Sequence, residues 1–198
     1  MTTSASTPRL RFLLAWYVLL LFFVAVSERE RLGTAGAFVE ILGLALMIVA
    51  AIGRIWCSAH IAGYKDTHLV TSGPYSACRN PLYAFSILGS LGVGLATRSI
   101  VIAAFTLVVV LALHVRAVLA EERFLRGLHG EAFERYCARV PRLLPSWKNY
   151  ESATTLTIVP AVFRKAFIDA ASFLLIFVLI ALLDALRGMD LLPTLLRL

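Results

Sequence analysis

Charge is scarce in this chain. Only 16% of its 198 residues are Asp, Glu, Lys or Arg, against about 25% in an ordinary soluble domain. A soluble fold of this length exposes too much surface to be built that way. Cysteine is scarce as well, and three in 198 residues exclude a disulfide scaffold. Low-complexity tracts and internal repeats are absent, and the apolar content excludes a disordered chain. No ribbon of interleaved aromatic and basic residues is present, so nucleic acid is not expected as a partner. What remains is apolar: 60% hydrophobic residues and a mean hydropathy of +0.83. Those values leave an integral membrane protein.

Uncharged apolar runs mark the spans. They cover residues 12–26, 41–53 (extended backward past Glu40), 81–97, 99–115 and a run centred on 170–183. Each is slightly short of the ~20 residues needed to cross a bilayer, and flanking residues supply the missing turns. None alternates with period two, so helices are expected rather than a barrel. The expected fold is all-α: one polytopic, membrane-embedded domain over 1–198 with about five transmembrane helices. A basic start, an apolar run and Ala25-Val26-Ser27 also outline a signal peptide. The length of the run and the charges after it favour a retained span.

Acidic residues number 12 against 19 basic ones, a formal charge of +7. Topology accounts for the excess. With the N-terminus in the cytoplasm, Arg9, Arg11, Arg54, Lys65, Arg79 and the basic residues from Arg116 to Lys165 fall inside. Only Arg29, Arg31, Arg98, Arg187 and Arg197 fall outside, the bias that the positive-inside rule describes. The third and fourth runs are joined only through Arg98, which predicts a tight antiparallel hairpin. Ser86, Ser90 and Gly94 recur at i, i+4 and i+8, a small-residue face for close helix approach.

Two inside segments carry the polar chemistry. Residues 68–83 read HLVTSGPYSACRNPLY. Gly73-Pro74 signals a turn, and Asn80-Pro81 places an Asn cap and a first-position Pro at a helix start. Such a start suits a carboxylate or phosphate; alternatively Arg79 is a topological anchor and the tyrosines form an aromatic belt. Residues 114–145 place Glu121 on the helix face of His114, at the membrane edge. A carboxylate there is expensive unless solvated, paired or used, for example to hold an ammonium group. Glu122 can reach Arg126 at i+4, as on a solvated surface, whereas the i+4 neighbour of Glu121 is Leu125. Cys57, Cys78 and Cys137 read as reduced thiols. Cys57 with His60 lacks the second close pair of a metal site, so no metal is expected.

Taken in order, Leu69-Val70-Thr71-Ser72-Gly73-Pro74-Tyr75, Arg79-Asn80-Pro81-Leu82-Tyr83, the hairpin, Glu121-Glu122-Arg123-Phe124-Leu125, Tyr136 and Pro145 resemble a known pattern. It is that of the isoprenylcysteine carboxyl methyltransferase and phospholipid methyltransferase superfamily, over about residues 65–147. The resemblance implies a membrane enzyme that uses S-adenosylmethionine at the cytosolic membrane face and acts on a lipid or other lipophilic acceptor. It implies a multi-pass protein of a bacterial inner membrane or its equivalent, and it makes the run at about 165–187 an extra C-terminal helix. Residues Leu69, Val70, Gly73, Tyr75, Asn80, Pro81 and Tyr83 would then line the cofactor pocket. Glu121, assisted by Glu122, would meet the cofactor's ammonium group. Arg79 and Arg116 would meet its carboxylate or a substrate anion, with Arg116 and Glu121 closest to the chemistry.

Three departures qualify the pattern. Asn80 stands where the family often has His, which argues against a general base there. Ala84-Phe85 replaces a common Gly and narrows the expected substrate entrance. Thr67 holds the place of a family histidine, with His68 following. Two other classes compete: a membrane reductase using NADPH with similar architecture, and a non-enzymatic transporter. Against the transporter, ionisable groups gather at one membrane face rather than along the spans. The acceptor itself is not legible.

Overall fold

The computed structural model describes residues 6–28, 33–64, 67–189, 191–192 and 196–197. Among the charges used for topology, Arg29, Arg31 and Lys65 lie outside the described residues, as do the side chains of Arg9 and Arg197. The helices are α1 (Ser6–Val26), α2 (Gly33–Ile61), α3 (Pro74–Ala77), α4 (Pro81–Ala96), α5 (Ile100–His129), α6 (Glu131–Arg139) and α7 (Pro160–Gly188), with a short 3₁₀ turn at Trp147–Asn149. The described strands are a two-residue parallel pair, Ser27–Glu28 with Leu196–Arg197.

Among the described residues, three helices are long and apolar enough to cross a membrane: Thr34–Ile61 in α2, Ile100–His129 and Pro160–Gly188. Two more apolar stretches, Arg11–Ala25 in α1 and Pro81–Ala96, are shorter. With 16 residues, α4 rises about 24 Å against the ~30 Å of hydrocarbon. It starts at Pro81 and ends at a turn where Arg98 adopts φ 58°. That turn makes the predicted hairpin with α5. The fourth apolar run does not stop at Val115: α5 continues for over three more turns and carries Glu121 and Glu122 on the same rigid rod. Apolar side chains such as Phe38, Ile100, Val101 and Val108 stand exposed on the outer surface, as a lipid-facing surface requires.

The helices reverse direction in turn. The C-terminal end of α2 meets Gly73 just before α3, and its N-terminal part meets the far end of α4. At that far end Arg98 pairs with Glu40, and Arg187 near the end of α7 donates to the carbonyl of Val24 near the end of α1. One pole of the bundle therefore gathers the end of α2, the start of α4 and the end of α5. A core of Leu20, Val24, Met47, Ala50, Val93, Ala96, Phe173 and Ile180 joins α1, α2, α4 and α7.

Backbone contact makes the α2–α4 seam close. A Cβ on Gly43 would lie 2.7 Å from the carbonyl oxygen of Gly92, and one on Gly92 would lie 2.6 Å from that of Gly43. The Phe85 ring occupies the notch left by Gly53, and Phe173 of α7 lies against Gly89. Ser86, Ser90 and Gly94 do not share one packing partner. Ser86 meets Arg54 of α2, Ser90 meets Tyr17 of α1, and Gly94 abuts Ala103 of α5. Packing against α2 uses the neighbouring glycines instead. Arg54 is also not a loop charge, because it lies inside α2, seven residues before the end at Ile61.

The seam predicts a contrast between two glycines. Gly92→Leu forces α2 and α4 apart and lowers the thermal midpoint in detergent. Gly127→Ala meets nothing within 4 Å and gains up to about 1 kcal/mol of helix propensity, so its midpoint is equal or higher. Equal midpoints for Gly92→Leu and wild type would show that the helices do not touch there.

Candidate functional site

Glu122 is the buried centre of the pole where α2 ends and α4 begins, 3% exposed. Arg79 Nε donates to its Oε1 at 3.2 Å and Asn80 Nδ2 to the same oxygen at 2.9 Å. Arg142 Nε donates to Oε2 at 3.0 Å. Both oxygens are thus held by charged or amide donors, which is what a buried carboxylate requires. This is not the solvated i+4 pair expected from the sequence, since Arg126 pairs instead with Glu134. Asn80 likewise makes no side-chain cap to α4. Its amide bridges Glu122 and the carbonyl of Arg142 at 3.2 Å.

The segment after α6 forms a strap over this centre. Arg79 N–H donates to Pro141 O at 2.8 Å, Asn80 N–H to Arg142 O at 3.2 Å and Ser146 N–H to Ala77 O at 2.9 Å. Further along, Gly73 N–H donates to Glu151 O at 2.7 Å, and Glu151 N–H donates to Ser76 Oγ at 2.9 Å. Cys78 Sγ faces the carbonyls of Arg142 and Leu143, and burial pushes its thiol up to about 11. Beneath the strap, Phe133, Tyr136 and Val140 form a second core, with Leu69 packed against it. A cleft of about 260 Å³ opens beside α3, between Thr71, Ser76, Arg139, Tyr150 and Glu151.

Glu121 sits one residue away and about 100° around α5. It is half-buried and accepts a 2.6 Å hydrogen bond from the hydroxyl of Tyr83. The Tyr83 ring meets His114 edge-on at 5.6 Å, while His114 Nδ1 donates to Val110 O at 2.8 Å. The shared helix face read from the sequence is therefore real, and Tyr83 fills the space between its two members. Tyr75 completes the group. Its carbonyl accepts from Tyr136 Oη at 2.6 Å, but its own hydroxyl is buried with no hydrogen-bond partner among the described residues. Burial first, then the nearby Cys57 thiol and Glu121 carboxylate, push the Tyr75 phenol well above its ordinary value. The Tyr136 phenol is raised too, first by burial.

Gly73 is required where it stands. Its φ of 58° is left-handed, and the His60 ring occupies the place of a side chain. His60 Nδ1 in turn donates to Trp56 O at 2.9 Å. Among the other sequence candidates, Pro81 is buried at the first turn of α4, and Val70 is half-buried. Arg79 is committed to Glu122 and, through Nη1, to Cys137 O at 2.8 Å. Arg116 is exposed, about 140° around α5 from Glu121, and is not brought to the group. His68 is exposed beside Thr67 and Tyr64. Arg142 and Glu151 were not read from the sequence. Nothing local separates Arg142 from the other basic residues of its segment, because its partner lies twenty positions back.

The two adjacent carboxylates differ in consequence. Glu122→Ala leaves Arg79 and Asn80 buried without their acceptor, a loss of about 3–5 kcal/mol. Folded yield and thermal midpoint should fall sharply. Glu121→Gln, whose partner is one hydroxyl, should leave the midpoint within about 1 kcal/mol of wild type. Equal midpoints for the two variants would contradict the burial of Glu122.

Comparison with known proteins bears on what this pole does. The profile of the family described as phospholipid methyltransferase matches residues 12–132. The cobalt-zinc-cadmium resistance protein CzcN of Cupriavidus metallidurans is 36% identical over 133 residues, which is 67% of this chain and 61% of that protein. The nickel-cobalt-cadmium resistance protein NccN of Alcaligenes xylosoxydans xylosoxydans is 34% identical over 153 residues, 77% of this chain and 71% of that protein. No solved structure matches. The matched stretch holds α2, the Gly73–Tyr83 motif, the hairpin and both glutamates, and on that extent the chain belongs to the phospholipid methyltransferase family.

Proposed function

We propose that the chain transfers a methyl group from S-adenosylmethionine to a lipophilic acceptor at the cytosolic membrane face. The observation that carries this reading is the placement of Glu121, Tyr83 and Tyr75 together on family-matched segments, with the Tyr75 hydroxyl buried and unpartnered. Methyl-transfer membership supports it. Five spans with the N-terminus inside agree with the alternating helix directions and with the basic segments at the inner pole.

The residues present fit the cofactor. Glu121 offers a half-buried carboxylate for its ammonium group, and Tyr83 holds that carboxylate in place. The Tyr75 hydroxyl offers a donor that the protein leaves unused. Leu69 packs on the core of Phe133, Tyr136 and Val140, and the Asn80–Glu122 hydrogen bond fixes the motif to α5. Arg116, on the outer side of α5, suits a headgroup anion. When bound, the sulfonium supplies an activated methyl group with a neutral thioether as leaving group. The protein's contribution is then alignment and exclusion of water, for which buried, pre-positioned side chains suffice.

The test is binding followed by turnover. S-adenosylmethionine should raise the thermal midpoint of the purified protein, and NADPH should not. Glu121→Gln should weaken cofactor affinity by about ten- to a hundredfold, the worth of a charge-assisted hydrogen bond. Tyr75→Phe should weaken it less. Labelled methyl should pass from the cofactor into a total lipid extract. Stabilisation by NADPH alone, or unchanged affinity in a folded Glu121→Gln protein, would overturn the assignment.

A further inference from the structure

Past the motif, the strap runs on to α7 along the end of α2. Trp56 stands five residues before the last residue of that membrane-crossing helix, about 7.5 Å along its axis. The Tyr150 ring lies 6.4 Å from Trp56, and the Trp147 ring lies 5.7 Å from Tyr150. Tyr64, just after α2, donates to the Thr157 hydroxyl at 3.2 Å. Val159 closes on Gly63, where an added Cβ would meet it at 3.2 Å. The strap from Trp147 to Val159 is thus held at the level where α2 ends and α7 begins.

Its outer face is apolar and basic. Leu144 is 83% exposed, Trp147 61% and Ile158 51%, and side chains of this kind gain by leaving water. From Arg139 to Lys165 the chain carries five basic residues and one acid, Glu151. Lys148, Arg164 and Lys165 are exposed. Rings with one polar edge, set beside lysine, are what the headgroup level of a membrane enriches. Basic residues there are drawn to anionic lipid. The apolar surface also does not stop with the strap. It continues into Val162, Phe167 and Ile168 of α7, a helix apolar enough to cross a membrane. That continuity selects a bilayer over a soluble protein as the partner.

We propose that the strap docks this face onto the headgroup layer of an anionic bilayer, and that the docking keeps the strap closed over the motif. Backbone bonds carry the coupling. Ser146 N–H donates to Ala77 O and Gly73 N–H to Glu151 O, so the two attachments to the motif flank Trp147, Lys148 and Tyr150. Anchoring those three side chains in the headgroup layer holds both attachments. The docking does not rest on the methyl-transfer reading; only an effect on turnover would.

The test uses the full chain, one per nanodisc, in phosphatidylcholine alone or mixed with phosphatidylglycerol. Trp16→Phe with Trp56→Phe leaves Trp147 as the reporter. Lipids with a nitroxide near the headgroup should quench it more than lipids with a nitroxide deep in the tail, and aqueous iodide should quench it weakly. If the double variant does not fold, the difference between wild type and Trp147→Phe gives the same signal. Hydrogen exchange at the Gly73 and Ser146 amides reads closure, and it should be slower in the anionic discs. Lys148→Gln should speed it about fivefold there, the worth of one basic residue at a charged surface, and change little in phosphatidylcholine. Trp147→Ala should speed it in both. Iodide quenching as strong as for free indole overturns the docking, and so does exchange indifferent to lipid charge and to both variants. Shielding of Trp147 that appears only with two chains per disc assigns the face to a second copy and also overturns it. Docking in a protein that neither binds nor uses S-adenosylmethionine would refute methyl transfer alone. Methyl transfer with Trp147 open to iodide would refute docking alone.

Discussion

The architecture of the pole that carries the motif depends on one buried carboxylate. Glu122 draws on three donors from two parts of the chain: Arg79 and Asn80 just before α4, and Arg142 on the strap. Glu122 itself belongs to α5. A single side chain therefore fixes where the hairpin's two helices end relative to the loop that precedes them and to the segment that follows α6. A pairwise ion bridge would be weak evidence for anything, since desolvation offsets the Coulomb gain. Here the carboxylate is saturated by several donors, which makes the arrangement directional. Tyr75 and Tyr83, on either side of Asn80, inherit their positions from it.

The α2–α4 seam sets the second constraint. Glycine against glycine brings the two backbones into contact, so α4 can be short and central while longer helices surround it. Small residues give helices in lipid their close approach, because apolar side chains gain little by leaving equally apolar tails. The same closeness brings Arg54 within reach of Ser86. At the far end, Arg98 and Glu40 pair across the mouth of the seam. The polar contacts of α4 thus lie at its start, at Ser86 and Ser90 along its length, and beyond its end.

Much of this was legible in the sequence, for physical reasons that differ by residue. The apolar runs, the hairpin at Arg98 and the family-like motif are local patterns; each run lies on a helix, although α2 and α5 extend well beyond theirs. Glu121 and His114 were legible because helical periodicity puts them on one face, and Tyr83 was legible only through the family-like motif. The partition of charge was not. Arg54 reads as a loop residue because it is the charge that ends the run 41–53, yet α2 runs on to Ile61. Glu122 reads as exposed because i+4 arithmetic offers Arg126, whereas its real partners are twenty and more positions away. Asn80 reads as a helix cap, since a cap is the local use of an Asn before Pro. Its long-range use outweighs the local one because a buried carboxylate lacking a donor is worse than a capless helix start that has Pro81 at its first position.

Glu121 and Glu122 show how a single helix turn separates structure from chemistry. They are identical in type and adjacent in sequence, and about 100° of rotation gives them opposite surroundings. Glu122 faces a shell of donors that leaves neither oxygen unbonded, so it cannot take a new ligand without giving up an old one. Glu121 faces one tyrosine hydroxyl and remains half-buried. A carboxylate so placed is neither hydrated as at a surface nor paired as in a core. It keeps hydrogen-bonding capacity in a medium where each such bond is strong. The rigid rod of α5 makes the two roles interdependent. The saturation of Glu122 locks the rotation of the helix, and that locked rotation aims Glu121 at Tyr83, Tyr75 and whatever binds between them.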